Sequence, residues 1–189
     1  MNKLLTIIVV LSSLLMQAGG QAVVVPVQNS SFEQGSTAWQ FGPSSGIMQK
    51  GGTPVAYAGY GGTFSQDLGI SPRTVQKPSP GWPYGTEGVY VLTFSVANYF
   101  PSYPGYYSAE IDFGTQELCE ASGWGTYHFS QVTLTCPCSN YIVLAKALPG
   151  GGPVQGSNDL VIHFTVNDGS ANGGWPVLFE DVSLTFTPN

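Results

Sequence analysis

Charge is scarce in this chain: Asp, Glu, Lys and Arg make up 8% of its 189 residues, with 5 basic side chains against 11 acidic ones. A phosphate backbone is held by clustered Lys and Arg, so a net charge of −6 excludes nucleic acid as an expected partner. Histidine (2) and cysteine (3) are rarer still, and Cys119, Cys136 and Cys138 have only His128 nearby as a fourth ligand, so structural zinc is not expected. No motif places a Ser/His/Asp set, which removes the usual hydrolase signature. Apolar periodicity of 3.6 residues is missing after the N-terminus, and so is a second long apolar run, so neither amphipathic helices nor a transmembrane segment is expected.

What the chain does have is an N-terminal stretch built like a secretory signal. Lys3 precedes an apolar run from Leu4 to Met16, followed by small residues up to Ala22. Residues 1–22 are therefore set apart, and residues 23–189 remain as one domain of roughly 170 residues, long enough for a sizeable core. Aromatics reach 13%, with 25 Gly and 14 Pro, a composition suited to a β-protein whose surface is hydroxyl and amide rather than ionic. Export favours paired cysteines. Cys136 and Cys138 flank Pro137 too tightly to bridge each other easily, so Cys119 is expected to pair with Cys136 or Cys138, leaving one thiol over.

Alternating apolar and polar residues mark short strands at 23–27, 55–60, 63–68, 89–97, 107–113, 127–135, 141–147, 160–166 and 177–186, separated by Gly/Pro turns. Strands without intervening helices argue a single antiparallel β-sandwich. The proline-rich piece 71–83 reads as a surface excursion. In the last strand Val182, Leu184 and Phe186 alternate with Ser183 and Thr185; the same parity carried backwards puts Leu178 and Glu180 on the apolar side and Phe179 and Asp181 on the other. A carboxylate aimed into an apolar layer needs a proton, a partner or a cation, and basic partners are few, so a metal is expected there. Glu110 and Asp112 share a strand face and read as outward acids, while His128 and His163 fall in strand patterns with no catalytic partner assigned. Asn29-Ser30-Ser31 is also a glycosylation sequon.

Asn29-Ser30-Ser31-Phe32-Glu33 near the start and Phe179-Glu180-Asp181-Val182-Ser183-Leu184 near the end together resemble the galactose-binding-like jelly roll of secreted carbohydrate-binding modules. Val55-Ala56-Tyr57, Phe64-Ser65-Gln66-Asp67-Leu68, Tyr90 to Val96 and Pro104-Gly105-Tyr106 resemble the exported bacterial branch of that fold that includes the calcium-dependent Stig cyclases. The resemblance implies that the first and last strands lie side by side and hold a structural calcium, with Glu33 and Asp181 as matching ligands and Glu180 as a third candidate.

A sugar ring offers an apolar face bordered by hydroxyls and binds an aromatic platform with polar neighbours. Trp39, Tyr57, Tyr60, Tyr99, Phe100, Tyr103 and Trp175 lie in or beside expected loops and are the candidate contacts. Three functions remain open. A secreted, calcium-stabilised binding protein would hold a glycan, or a small apolar ligand, on those aromatics. A cyclase would use them as walls around a prenylated indole or similar apolar substrate, with Asp181 as a proton donor whose pKa is raised by burial. The third is a structural extracellular surface protein. Binding is the expectation, because calcium ligation would keep Asp181 ionised and unable to donate.

Overall fold

The computed structural model describes residues 21–69, 88–113, 116–137, 160–167 and 175–188. Residues 1–20 of the expected signal, the excursion at 71–83, Cys138 and the strand expected at 141–147 lie outside them. The regular elements of the described residues are all strands: β1 Val23–Val25, β2 Gln40–Phe41, β3 Ser45–Lys50, β4 Thr53–Ala58, β5 Thr63–Asp67, β6 Gly88–Asn98, β7 Tyr106–Phe113, β8 Gln116–Trp124, β9 Ser130–Pro137, β10 Leu160–Val166 and β11 Val177–Pro188. No helix of the described residues is long and apolar enough to cross a membrane.

Two antiparallel sheets pack face to face, as the alternation predicts. One has the order β3-β4-β11-β6-β9 with β1 also paired to β11, and the other runs β2-β5-β10-β7-β8. Strand β6 shows why: Tyr90, Leu92, Phe94 and Val96 are buried, while Val91, Thr93 and Ser95 between them are only partly so. Phe64 and Phe164 stack at 4.7 Å across β5 and β10, and Phe94 and Phe179 of the facing sheet meet Phe164 at 5.1 and 5.2 Å. Each fully buried Phe of this kind contributes about 1.5–3 kcal/mol relative to exposure.

Strand β11 is central, with β6 along one edge and β4 followed by β1 along the other. Its expected parity holds from Val182 to Phe186 and fails when carried backwards, for a physical reason. The register shifts between Glu180 and Ser183, and Asp181 takes a left-handed φ of 53°. A bulge inserts an extra residue and resets which side chains face inward. Val177 and Phe179 before it, and Val182, Leu184 and Phe186 after it, all belong to the intersheet core. Asp181 and Val182 together face the single residue Phe94, between the Glu180–Ser95 and Ser183–Thr93 pairs, and this leaves Glu180 partly exposed, Asp181 exposed and Val182 buried. Leu178 is buried too, on the outer face opposite Ala97, which is also buried.

Strands β3 and β8 were not expected. Both are edge strands. An edge strand with one shielded face needs less apolar alternation than a central one, and β8, Gln-Glu-Leu-Cys-Glu-Ala-Ser-Gly-Trp, shows little. Strand β9 begins three residues later than expected, leaving Tyr127 and His128 in an exposed loop. Cys119 of β8 and Cys136 of β9 form a disulfide, one of the two expected pairings, and it joins the edge strands of the two sheets.

Candidate functional site

Three places concentrate chemistry. The first is the join of the terminal strands. Beyond β1 the chain turns through residues 28–39, where Asn29, Phe32 and Ala38 all adopt positive φ. The Asn29 side chain knits this turn: its Nδ2 donates to the carbonyls of Gly35 (2.8 Å) and Thr37 (3.0 Å), and its Oδ1 accepts from Gln34 N–H (3.0 Å). Both Nδ2 hydrogens are thereby committed, which leaves the sequon nitrogen occupied within the fold. The Val182 N–H donates to Ser30 O at 3.1 Å, bringing the Glu33 segment against the bulge. Burial, then the neighbouring Asp181 charge, push the Glu180 carboxyl up from its usual range. Glu33, Glu180 and Asp181 do not converge as a trio of carboxylates within 4.8 Å of one another; the group of described residues that does so lies elsewhere.

The second place is one end of the sandwich. Tyr99, Phe100 and Tyr103 belong to the β6–β7 connection, and Trp175 leads into β11. Their rings form a chain: Tyr99 to Phe100 4.6 Å, Phe100 to Trp175 4.6 Å, and Trp175 to Tyr103 5.6 Å. Tyr103 is 56% exposed and Trp175 43%. Backbone bonds fix this end, with Tyr99 N–H on Pro176 O (3.0 Å) and Gly125 N–H on Gly105 O (2.9 Å). Buried Asn98 ties the two loops, donating to Gly125 O and accepting from Gly105 N–H. The Lys50 ammonium from the β3–β4 hairpin reaches Tyr99 O at 3.4 Å and lies 5.3 and 5.8 Å from the centres of the Tyr99 and Tyr127 rings. Tyr60 is exposed in the β4–β5 turn, whose Gly61 N–H donates to Val166 O, so it shares this end.

Two candidates stand apart. Trp39 is 5% exposed, packs on Phe32 at 5.1 Å and Phe64 at 5.6 Å, and donates its indole N–H to Asn29 O. It is a core residue and offers no face to a ligand. Tyr57 is half-buried on β4 with its ring against Gly46 of the neighbouring strand. Sequence reasoning missed Tyr127 at the platform. It also missed Trp124, 55% exposed and 5.2 Å from Tyr106, because β8 carried no strand signal.

The third place is the outer face of the five-stranded sheet. There β10 and β7 pair with His163 opposite Glu110, and Glu110, Asp112 and His163 offer ligand atoms all within 4.8 Å of one another. Burial and the Glu110 charge, countered by His163 and reinforced by Glu117, push the Asp112 carboxyl up to about 6. The outward direction of all three side chains agrees with the strand parity, but which strands lie side by side was not in the pattern.

No family model matches this sequence, and no curated protein matches it. Solved structures do. The Stig cyclase Fisc from Fischerella sp. TAU, in complex with a pyrrolidinylidene-indole, aligns with a TM-score of 0.56 at 21% identity, over 89% of this chain and 99% of that one. A xylan-binding CBM22 domain from Paenibacillus barcinonensis aligns with a TM-score of 0.54 at 11% identity, over 91% and 99%. A CBM4 structure gives 0.52 at 17% identity, over 82% and 98%. Likeness at these identities speaks for fold and leaves function to the sites. The described chain is thus a single antiparallel β-sandwich with the galactose-binding-like jelly-roll fold shared by carbohydrate-binding modules and a Stig cyclase.

Proposed function

We propose that this chain is an exported, non-catalytic binding module that holds a glycan against the aromatic end of its sandwich, with calcium as a structural ion at the join of the terminal strands. The observation that carries this reading is the unbroken run of rings from Tyr99 through Phe100 and Trp175 to Tyr103, two of them well exposed. Aromatic faces bind the apolar face of a sugar, and exposed Ser102 and Tyr103 of the β6–β7 connection carry hydroxyls for its edge. Export is supported by the N-terminal apolar stretch and by the Cys119–Cys136 disulfide, a bond that persists in oxidising compartments.

The second reading is acid-promoted rearrangement of a prenylated indole or similar apolar substrate, and it draws on the fold shared with Fisc. It needs Asp181 in an apolar wall, where a carboxyl keeps its proton. Asp181 instead sits exposed on the bulge beside the segment that carries Glu33, which favours binding.

The test is a glycan array run in calcium with the wild-type chain and Tyr103→Ala and Trp175→Ala variants. The expected result is a defined glycan class whose signal each variant reduces by about tenfold or more, as loss of a central aromatic contact does. No glycan above background would overturn the reading, and turnover of a prenylated indole abolished by Asp181→Ala would establish the cyclase in its place.

A further inference from the structure

The outer face of the five-stranded sheet carries a cluster that the aromatic platform does not use. His163 Nδ1 lies 3.8 Å from Glu110 Oε2, while Glu110 Oε1 accepts from the Ser108 hydroxyl at 3.3 Å. That second bond holds the carboxylate with one oxygen turned to the imidazole. Asp112, two residues along the same face of β7, completes the group.

Two observations mark the cluster as unfinished. Asp112 Oδ1 is buried and no donor among the described residues reaches it. A buried acceptor left without a partner is destabilising, and more so when charged. The β7–β8 pairing also sets Glu120 opposite Glu110 and Glu117 opposite Asp112, so four carboxylates share this face. Among the described residues the sole Lys or Arg is Lys50, and it is held at Tyr99. An imidazole contributes a lone pair but, when neutral, no charge to offset four acids.

We propose that Glu110, Asp112 and His163 bind one divalent transition-metal ion of the zinc class. The donor set selects the metal: one imidazole nitrogen with two carboxylate oxygens suits zinc, nickel or cobalt, whereas calcium and magnesium take oxygen ligands throughout. Metal bonds of about 2 Å place ligand atoms roughly 3 Å apart. The cluster closes to that spacing by side-chain rotation, since β7 and β10 are hydrogen-bonded neighbours and fix its backbone. An ion here gives Asp112 Oδ1 its missing partner and offsets the repulsion among the acids. Water fills the open positions. The site lies on the sheet opposite the one containing β11, so its occupancy is independent of calcium at the terminal join.

The test uses the untagged full chain, stripped with chelator and titrated calorimetrically with zinc in excess calcium. One zinc per chain is expected, uncompeted by calcium. His163→Gln and Asp112→Asn should each weaken zinc by more than about 100-fold, since loss of even an outer partner costs on the order of 10- to 100-fold. His128→Gln, at the other histidine, should leave zinc binding unchanged. X-ray absorption on the wild-type zinc complex, which needs no variant to fold, should show one imidazole among oxygen ligands. Zinc binding that survives His163→Gln, competition by calcium, a sulfur ligand in the absorption spectrum, or no zinc bound at all would each overturn the proposal.

Discussion

The side-chain amide of Gln66 holds the backbone of Gln28 as a neighbouring strand would: its Oε1 accepts from Gln28 N–H and its Nε2 donates to Gln28 O, both at 2.8 Å. Gln66 is 1% exposed, so a polar side chain sits in the core layer with one donor and its acceptor oxygen both used on the backbone of a single residue. It fastens the chain leaving β1, in one sheet, to β5 in the other. Gln66→Leu keeps the volume and strands both Gln28 groups, so urea unfolding should report a loss of about 1–3 kcal/mol. An unchanged midpoint would mean that water replaces the amide without penalty.

The Cys119–Cys136 bond closes a loop with a sequence separation of 17 and staples the edge strands β8 and β9 across the open side of the sandwich. A cross-link over a loop of that size stabilises by about 3 kcal/mol through the unfolded state. Thermal unfolding of a Cys119→Ser/Cys136→Ser variant should show that loss, and reductant should lower the wild-type midpoint while leaving the variant's unmoved. Equal response of both proteins to reductant would contradict it.

Calcium at the terminal join predicts a chelator-dependent midpoint in the wild-type chain. Saturation at 100-fold over the dissociation constant adds about 2.7 kcal/mol to stability. Asp181→Asn is the informative variant, because Asn tolerates the left-handed φ of 53° at this position while losing the charge. It should unfold at one temperature with or without calcium. A wild-type midpoint indifferent to chelator, with no metal found by elemental analysis, would remove calcium from the account.

Asn98 predicts a coupling between loop order and ligand binding. It is 2% exposed and bonds Gly125 O and Gly105 N–H, so it pins the loops that carry Tyr103 and Tyr127. Asn98→Ala should weaken glycan binding and lower stability by about 1–3 kcal/mol, the penalty for stranding its buried partners. Near-ultraviolet circular dichroism should register the loosened aromatics. Binding that persists at wild-type strength would show that the platform orders itself.

Most of the sandwich was legible because its central strands alternate cleanly; 160–166 was bounded in sequence as it is in the fold. The bulge was legible in principle. Glu180-Asp181 puts two polar residues in succession inside an alternating run, and a strict period of two cannot carry both without an extra residue. Trp39 misled because it lies beside Gly and Ser residues that read as a loop, whereas the turn at 28–39 folds back to bury its indole. The His163 cluster depended on β10 lying next to β7, and a strand neighbour so distant in sequence leaves no trace in local pattern.

The position of β11 has a kinetic consequence. Val23 pairs with Phe186 and Gly88 with Pro188, so both edges of the central strand are filled by segments that precede it by long stretches of chain. Loop closure of that reach is slow, because the entropy of bringing the ends together is lost before contacts repay it. While the chain emerges from its N-terminus onward, β1, β4 and β6 wait with bare hydrogen-bonding edges for the same late partner. That interval is when strand-to-strand aggregation is most open to it, and it gives a chaperone its strongest point of action.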